Sequence, residues 1–242
     1  MKKFLFICSC LFAIITSAQQ VNEPFNFPIK PGSKEWPNFK TDDERFKATQ
    51  IPDSILSNMS TYALVVSCIN YPSYIVYITA FDIQTGYSIL ASNFNGLDEC
   101  MKRPDAAISL IGIYKIAGEK GFLDQLPYLD ERNWTFKISW MEIILSQDNL
   151  IKTLDNEERK ELLSLANEKF KMKVSSNDYS GYDILTAVFL IGKVLHSLNY
   201  NDFESEISRN SSLRNFLINP QFAEEQTINK IFELSKKYLE NQ

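Results

Sequence analysis

From residue 53 onward, apolar positions recur at three- and four-residue steps, the period of an amphipathic helix. Ile55, Leu56, Met59, Tyr62, Ala63, Val66 and Ile69 form one such stripe behind Pro52-Asp53-Ser54, so a single helix is predicted from there to Ile69, where Tyr71-Pro72 ends it. Shorter helices are expected at Ser73–Phe81, Ile83–Ser92 and Leu97–Lys102, with a turn at Asn93-Phe94-Asn95-Gly96. Pro104 suits a first helical turn, and Asp105–Ala117 continues it. Trp134–Ser146 reads as a buried helix. A helix behind Asp155-Asn156-Glu157-Glu158 runs to about Lys173; its acids sit at the positive end of the helix dipole and Lys169, Lys171 and Lys173 at the negative end. Tyr182–Leu198 is apolar on nearly every face, the mark of a central helix. Asp202–Ile207, Ser212–Ile218 and Glu224–Leu239 complete the set.

Residues 19–52 break this pattern. Pro24, Pro28, Pro31, Pro37 and Pro52 interrupt any long helix, yet Phe25, Phe27, Ile29, Trp36 and Phe39 are too apolar for a free tail. An extended arm lying across a helical body is expected, with one short helix at Asp42–Ala48. The predicted fold class is therefore all-α: an irregular bundle of roughly nine to eleven helices, residues 53–242, with possible halves at 53–117 and 130–240.

The first 18 residues have a different logic. Lys2-Lys3, the apolar run Phe4–Ile15 and Thr16-Ser17-Ala18 make the three parts of a secretory signal, with cleavage expected between Ala18 and Gln19. The run is too short for a stable spanning helix, which needs about 20 residues. The expected product is secreted or periplasmic, with no membrane insertion after cleavage. The rival reading makes Cys10 the lipidated cysteine of a lipoprotein, but few apolar residues precede it.

Charge narrows the partners. The chain has 25 basic and 30 acidic residues, a net charge of −5. Loss of Lys2 and Lys3 with the signal makes it more acidic still, so no nucleic-acid partner is expected. Only 8 glycines and 9 prolines in 242 residues agree with helices rather than a turn-rich sandwich.

Candidate chemistry is thin. Cys68 and Cys100 remain after cleavage, in an oxidising compartment. A disulfide between them would close a loop of about 33 residues and stabilise by roughly 3–4 kcal/mol; two buried free thiols are the alternative. His196 is the only histidine, on the apolar helix, and a Cys–His pair with Cys68 or Cys100 is the one nucleophilic arrangement available. Two cysteines and one histidine build no structural zinc site unaided, and no phosphate loop, dinucleotide fingerprint or nucleophile elbow occurs. No metal or cofactor is expected. Paired acids such as Asp98-Glu99, Asp130-Glu131 and Glu157-Glu158 read as helix starts rather than a glycosidase pair. The surplus lies in the aromatics: 17 Phe, 11 Tyr and 3 Trp. Tyr71, Tyr74 and Tyr77, at three-residue steps, would line one helix face.

Met59-Ser60-Thr61, Asn70-Tyr71-Pro72, Asn93-Phe94-Asn95-Gly96-Leu97 and Arg103-Pro104-Asp105-Ala106 resemble a pattern in functionally uncharacterised secreted all-helical proteins of Bacteroidetes. The Ser-Ala-Gln-Gln junction is similar to their export signals. The resemblance covers residues 57–114, implies fold and compartment, and carries over no catalytic residue.

The sequence thus points to an exported, non-catalytic binding module for a peptide, protein or glycan. The expected groove lies between the arm and the tyrosine helix, with Trp36, Tyr71, Tyr74 and Tyr77 as its ligand-binding residues. A structural or assembly factor of the envelope is the alternative, and a hydrolase the third reading.

Overall fold

The computed structural model describes residues 20–119, 121–125, 133–221 and 223–241. The expected signal, with Cys10, and the pair Asp130-Glu131 lie outside the described residues. The arm carries a 3-10 turn at Trp36–Asn38 and helix α1 (Asp42–Ala48). Then follow α2 (Asp53–Leu56), α3 (Thr61–Ile69), α4 (Val76–Thr79), α5 (Ile83–Asn93), α6 (Asn95–Cys100) and α7 (Ala106–Ile116). After α8 (Phe122–Gln125) come α9 (Trp134–Leu145), α10 (Asp148–Ile151), α11 (Asn156–Ser175), α12 (Gly181–Ser197), α13 (Asn201–Arg209), α14 (Ser211–Ile218) and α15 (Glu225–Glu240). The described residues form no strand, only an isolated bridge between Val21 and Met59.

The fold class is all-α, but with more helical segments than the nine to eleven expected. The surplus comes from single turns: α2, α4, α8 and α10 are each 4 residues long. One predicted helix is also split. Residues 53–69 were expected to be continuous, yet the chain is non-helical between α2 and α3. The cause is the arm: Val21 donates to the Asn58 carbonyl (2.7 Å) and accepts from the Ser60 amide (2.8 Å). Those bonds hold Met59 extended, and Ser60 then caps α3 by accepting from the Ala63 amide.

Local signals set the other ends. Asp155 and Glu158 form a reciprocal capping box at α11, as do Ser180 and Asp183 at α12. Asp82 accepts from the Thr85 amide and starts α5.

Helix α12 is the centre. It packs on α9, α11 and α15 and buries Ala187 to Ile191 completely or nearly so. Gly192 allows α14 to close on it: a Cβ there would lie 2.6 Å from Leu217. Around α3, a second layer of α6 and α7 joins the first through α9. The arm belongs to this core, since Phe27, Phe46 and Ile51 are all buried. No single helix among the described residues is long and apolar enough to cross a membrane.

Candidate functional site

The three tyrosines do not share an open helix face. Residues 72–75 are turns, and only Val76–Thr79 is helical, so the rings diverge. Tyr77 points into the core. It stacks on Trp140 (centroids 5.6 Å apart) and donates to the Phe136 carbonyl (2.9 Å). Gly86 permits this, because a Cβ there would lie 2.6 Å from the Tyr77 Cα. Tyr71 is equally buried, stacked on Phe94 at 3.9 Å, and its oxygen accepts from Thr49 (3.0 Å). Burial pushes the Tyr71 phenol up to about 12, and raises that of Tyr77 as well. Trp36 lies elsewhere, half-buried under the Arg45 guanidinium, 5.5 Å from the ring centroid.

What the fold does bring together is the arm and the Tyr71-Pro72-Tyr74 turn. Between them lies a cleft of about 110 Å³. The edges of Tyr71, Pro72 and Tyr74 form one wall and Lys30 and Pro31 the other. Lys30 closes a tight turn with Ser33 (2.8 Å), which Gly32 makes possible with φ 92°. The floor comes from Asn70, at the end of α3, and from Asn133 and Lys137 at the start of α9. Lys137 is largely buried and donates to Asn70 Oδ1 (2.7 Å). The arm is held beside the cleft by the Phe25 amide, which donates to Ser67 Oγ (2.8 Å), and by Phe27 packed edge-on to Tyr71. The lining thus combines two ammonium groups, two side-chain amides and apolar walls; Lys30 Nζ donates to Asn26 Oδ1 (3.0 Å). Among the described residues no carboxylate lines it.

A larger opening of about 640 Å³ separates α1 from the α5–α6 turn, and two of its polar side chains, Gln50 and Asn95, are engaged with backbone. Gln50 donates to the Phe46 and Asn93 carbonyls and accepts from the Asn95 amide. Asn95 both accepts from and donates to the backbone of Ile51 (3.0 and 2.7 Å). This is the joint that fixes the arm to the body.

Sequence reasoning missed the polar cluster inside the bundle. Lys173 of α11, fully buried, reaches Glu142 Oε2 of α9 at 2.5 Å. The same ammonium donates to Ser139 Oγ, the Asp183 carbonyl and Thr186 Oγ1. Glu142 also accepts from Tyr114 (2.9 Å) and from Thr186, and Ser139 donates to Asp183 (2.7 Å). Burial lowers the Lys173 pKa against the raising effect of Glu142. Lys169, read from sequence as complementing its own helix, instead donates to the Lys115 and Ala117 carbonyls at the end of α7. The signal was present: continuing the buried stripe Leu162–Ala166 by helical steps lands on Lys169 and Lys173.

Cys68 and Cys100 are buried free thiols that face each other, and burial raises the Cys68 pKa. His196 is not joined to them; its Nδ1 lies 2.7 Å from Glu204 Oε1 near the surface. Among the described residues, no group of three or more potential ligands is placed to hold a metal ion. No protein-family model matches the chain, and no curated protein and no solved structure matches it either.

Proposed function

We propose that the chain is an exported binding module, acting without catalysis on an extended peptide or glycan that places an acidic end group in the arm cleft. The observation that carries this reading is the convergence of Lys30 from the arm and Lys137 from α9 on one small cleft with aromatic and proline walls. The arm's prolines keep it extended beside that cleft, where a ligand could run parallel to it. Export rests on the tripartite N-terminus: intact mass of the native protein should place its first residue at Gln19, and a diacylated chain starting at Cys10 would replace this reading with the lipoprotein one.

Peptide-panel and glycan-array screening of the wild type tests the binding reading. A bound ligand should be lost or much weakened in Lys30→Glu and Tyr74→Ala, and retained in Trp36→Ala, since Trp36 is not part of the cleft. Equal binding by all variants would place the site elsewhere. The envelope-assembly reading has one observation in its favour: Ile75 and Phe81 are exposed, Phe81 at 73%, as a docking surface requires. Loss of a co-purifying partner in Phe81→Ser, with the cleft variants unaffected, would favour it.

A further inference from the structure

A third opening has more cations than carboxylates in its lining, although the chain as a whole is acidic. It has a volume of about 280 Å³, near the lower end for small-molecule sites. Three cationic side chains line it, Lys152, Arg159 and Lys193, against one carboxylate, Asp148. The fold positions them from three elements: Lys152 at the end of α10, Arg159 in the second turn of α11, Lys193 near the end of α12.

Arg159 is held in place before any ligand arrives. Its Nε donates to the Ile151 carbonyl (3.2 Å) and its Nη1 to the Ser197 carbonyl (3.0 Å), the ends of α10 and α12. Those bonds consume two faces of the guanidinium and offset the partial negative charge of both helix ends. Among the described residues nothing pairs with Nη2. Lys193 is bound to Asp148 at 2.7 Å, which cancels the one carboxylate in the lining. Lys152 is exposed and pairs with no described residue. His196 also lines the pocket, its Nδ1 occupied by Glu204.

We propose that this pocket binds a tetrahedral oxyanion, the phosphate group of a small phosphate ester. Two unengaged cationic donors, Lys152 at the end of α10 and the Nη2 edge of Arg159 on α11, match a phosphate carrying up to two negative charges better than the single charge of a carboxylate, and a guanidinium fixed by backbone carbonyls loses little freedom on binding. The pocket is larger than one phosphate group, which leaves room for the organic part of an ester. The positive lining also gathers anions against the field of a chain whose net charge is −5.

Calorimetric titration of the whole protein at low ionic strength, where surface cations are least screened, tests this with inorganic phosphate, glucose 6-phosphate and acetate. Saturable binding of phosphate or of the ester is expected, and whichever binds tighter identifies the source of the group. Lys152→Glu should weaken it about tenfold or more, because a charge-assisted contact becomes a repulsion. Lys34→Glu, the same charge change on the exposed arm, should leave it unchanged. Lys152 makes no side-chain contact that folding needs, and an unchanged circular dichroism spectrum verifies this for the variant used. Absence of saturable binding, equal weakening by both variants, or acetate binding as tightly as phosphate would overturn the proposal.

Discussion

The buried pair of Glu142 and Lys173 should govern the stability of this fold more than any other polar contact. Lys173→Met keeps most of the side-chain volume and removes the ammonium. Ser139 and Thr186 keep other partners, Asp183 Oδ1 for the first and the Asp183 carbonyl for the second. Glu142 does not recover so easily. Its carboxylate, fully buried, retains Tyr114 as a donor and shares the one Thr186 proton with the Asp183 carbonyl, but it has no counter-charge. Breaking a buried pair from one side costs about 3–5 kcal/mol. That is a large share of a stability of roughly 5–15 kcal/mol for a domain.

Replacing both members tells the two effects apart. Lys173→Met with Glu142→Gln removes the stranded charge, so the double variant should be more stable than Lys173→Met alone, although two changes have been made. Urea unfolding followed by far-ultraviolet circular dichroism gives all three stabilities, with slopes that should stay constant if the native surface is unchanged. A loss below about 1 kcal/mol in Lys173→Met, the size of an exposed pair, would show that the lysine is hydrated rather than buried. A double variant less stable than Lys173→Met would show that the carboxylate is held by its hydroxyl donors and owes little to the ammonium.

Alkali should unfold the protein through its tyrosines. A phenol whose folded pKa is raised contributes stability that is whole below the unfolded value of 10 and is lost as pH rises through the folded value; for Tyr71, at about 12, the window is pH 10 to 12 and the loss roughly 3 kcal/mol. Phenolate absorbance should therefore rise late and together with loss of helix, and early titration of all tyrosines in a folded chain would contradict their burial. In the reduced, native protein Cys68 and Cys100 should resist a thiol reagent and react only on denaturation, because both are 1% exposed; fast labelling of either would mean that the layer of α3 and α6 opens. His196→Ala should cost no more than about 1 kcal/mol in the same urea assay, since its pair with Glu204 is exposed, and a larger loss would assign the pair a role in joining α12 to α13.

Much of the fold was legible because its signals are local. The helices at 42–48, 83–93, 134–145 and 181–197 were placed to within a residue or two by caps and apolar period alone. The break at 57–60 was not, because its cause is Val21, nearly forty residues earlier. The same limit hid the arm cleft. Tyr71, Tyr74 and Tyr77 are evenly spaced in sequence, but the spacing has meaning only on a helix, and Pro72 replaces most of that helix with turns. The tyrosine period therefore overstated how far the three rings share one face, while Lys137, in a helix that reads as buried, was overlooked. Ser139 and Glu142 were legible in principle: polar groups on an all-buried helix must find partners in the core, and Asp183 and Thr186 repeat the same three-residue spacing on α12.

Long cations are used here where other helical proteins use glycine. A helix end leaves carbonyls without partners, and a left-handed glycine after the last turn is the usual remedy. Among the described residues only Gly118 after α7 and Asn199 after α12 take that conformation at a helix C-terminus. Side chains from elsewhere in the fold also supply donors at helix ends. Arg103 reaches the Met59 carbonyl (3.2 Å) beyond the end of α2, Arg159 joins α10 to α12, and Lys169 supports α7 even where Gly118 is present. Each bond that ends one helix also ties it to another, so the many short helices are held by their ends as well as by their apolar faces. This explains why Lys169, on an acidic chain, is buried among carbonyls. Two groups at the α10–α12 pocket stay outside this scheme: Lys152 and the Nη2 edge of Arg159 pair with no described residue, and they are the groups on which the proposed anion site rests.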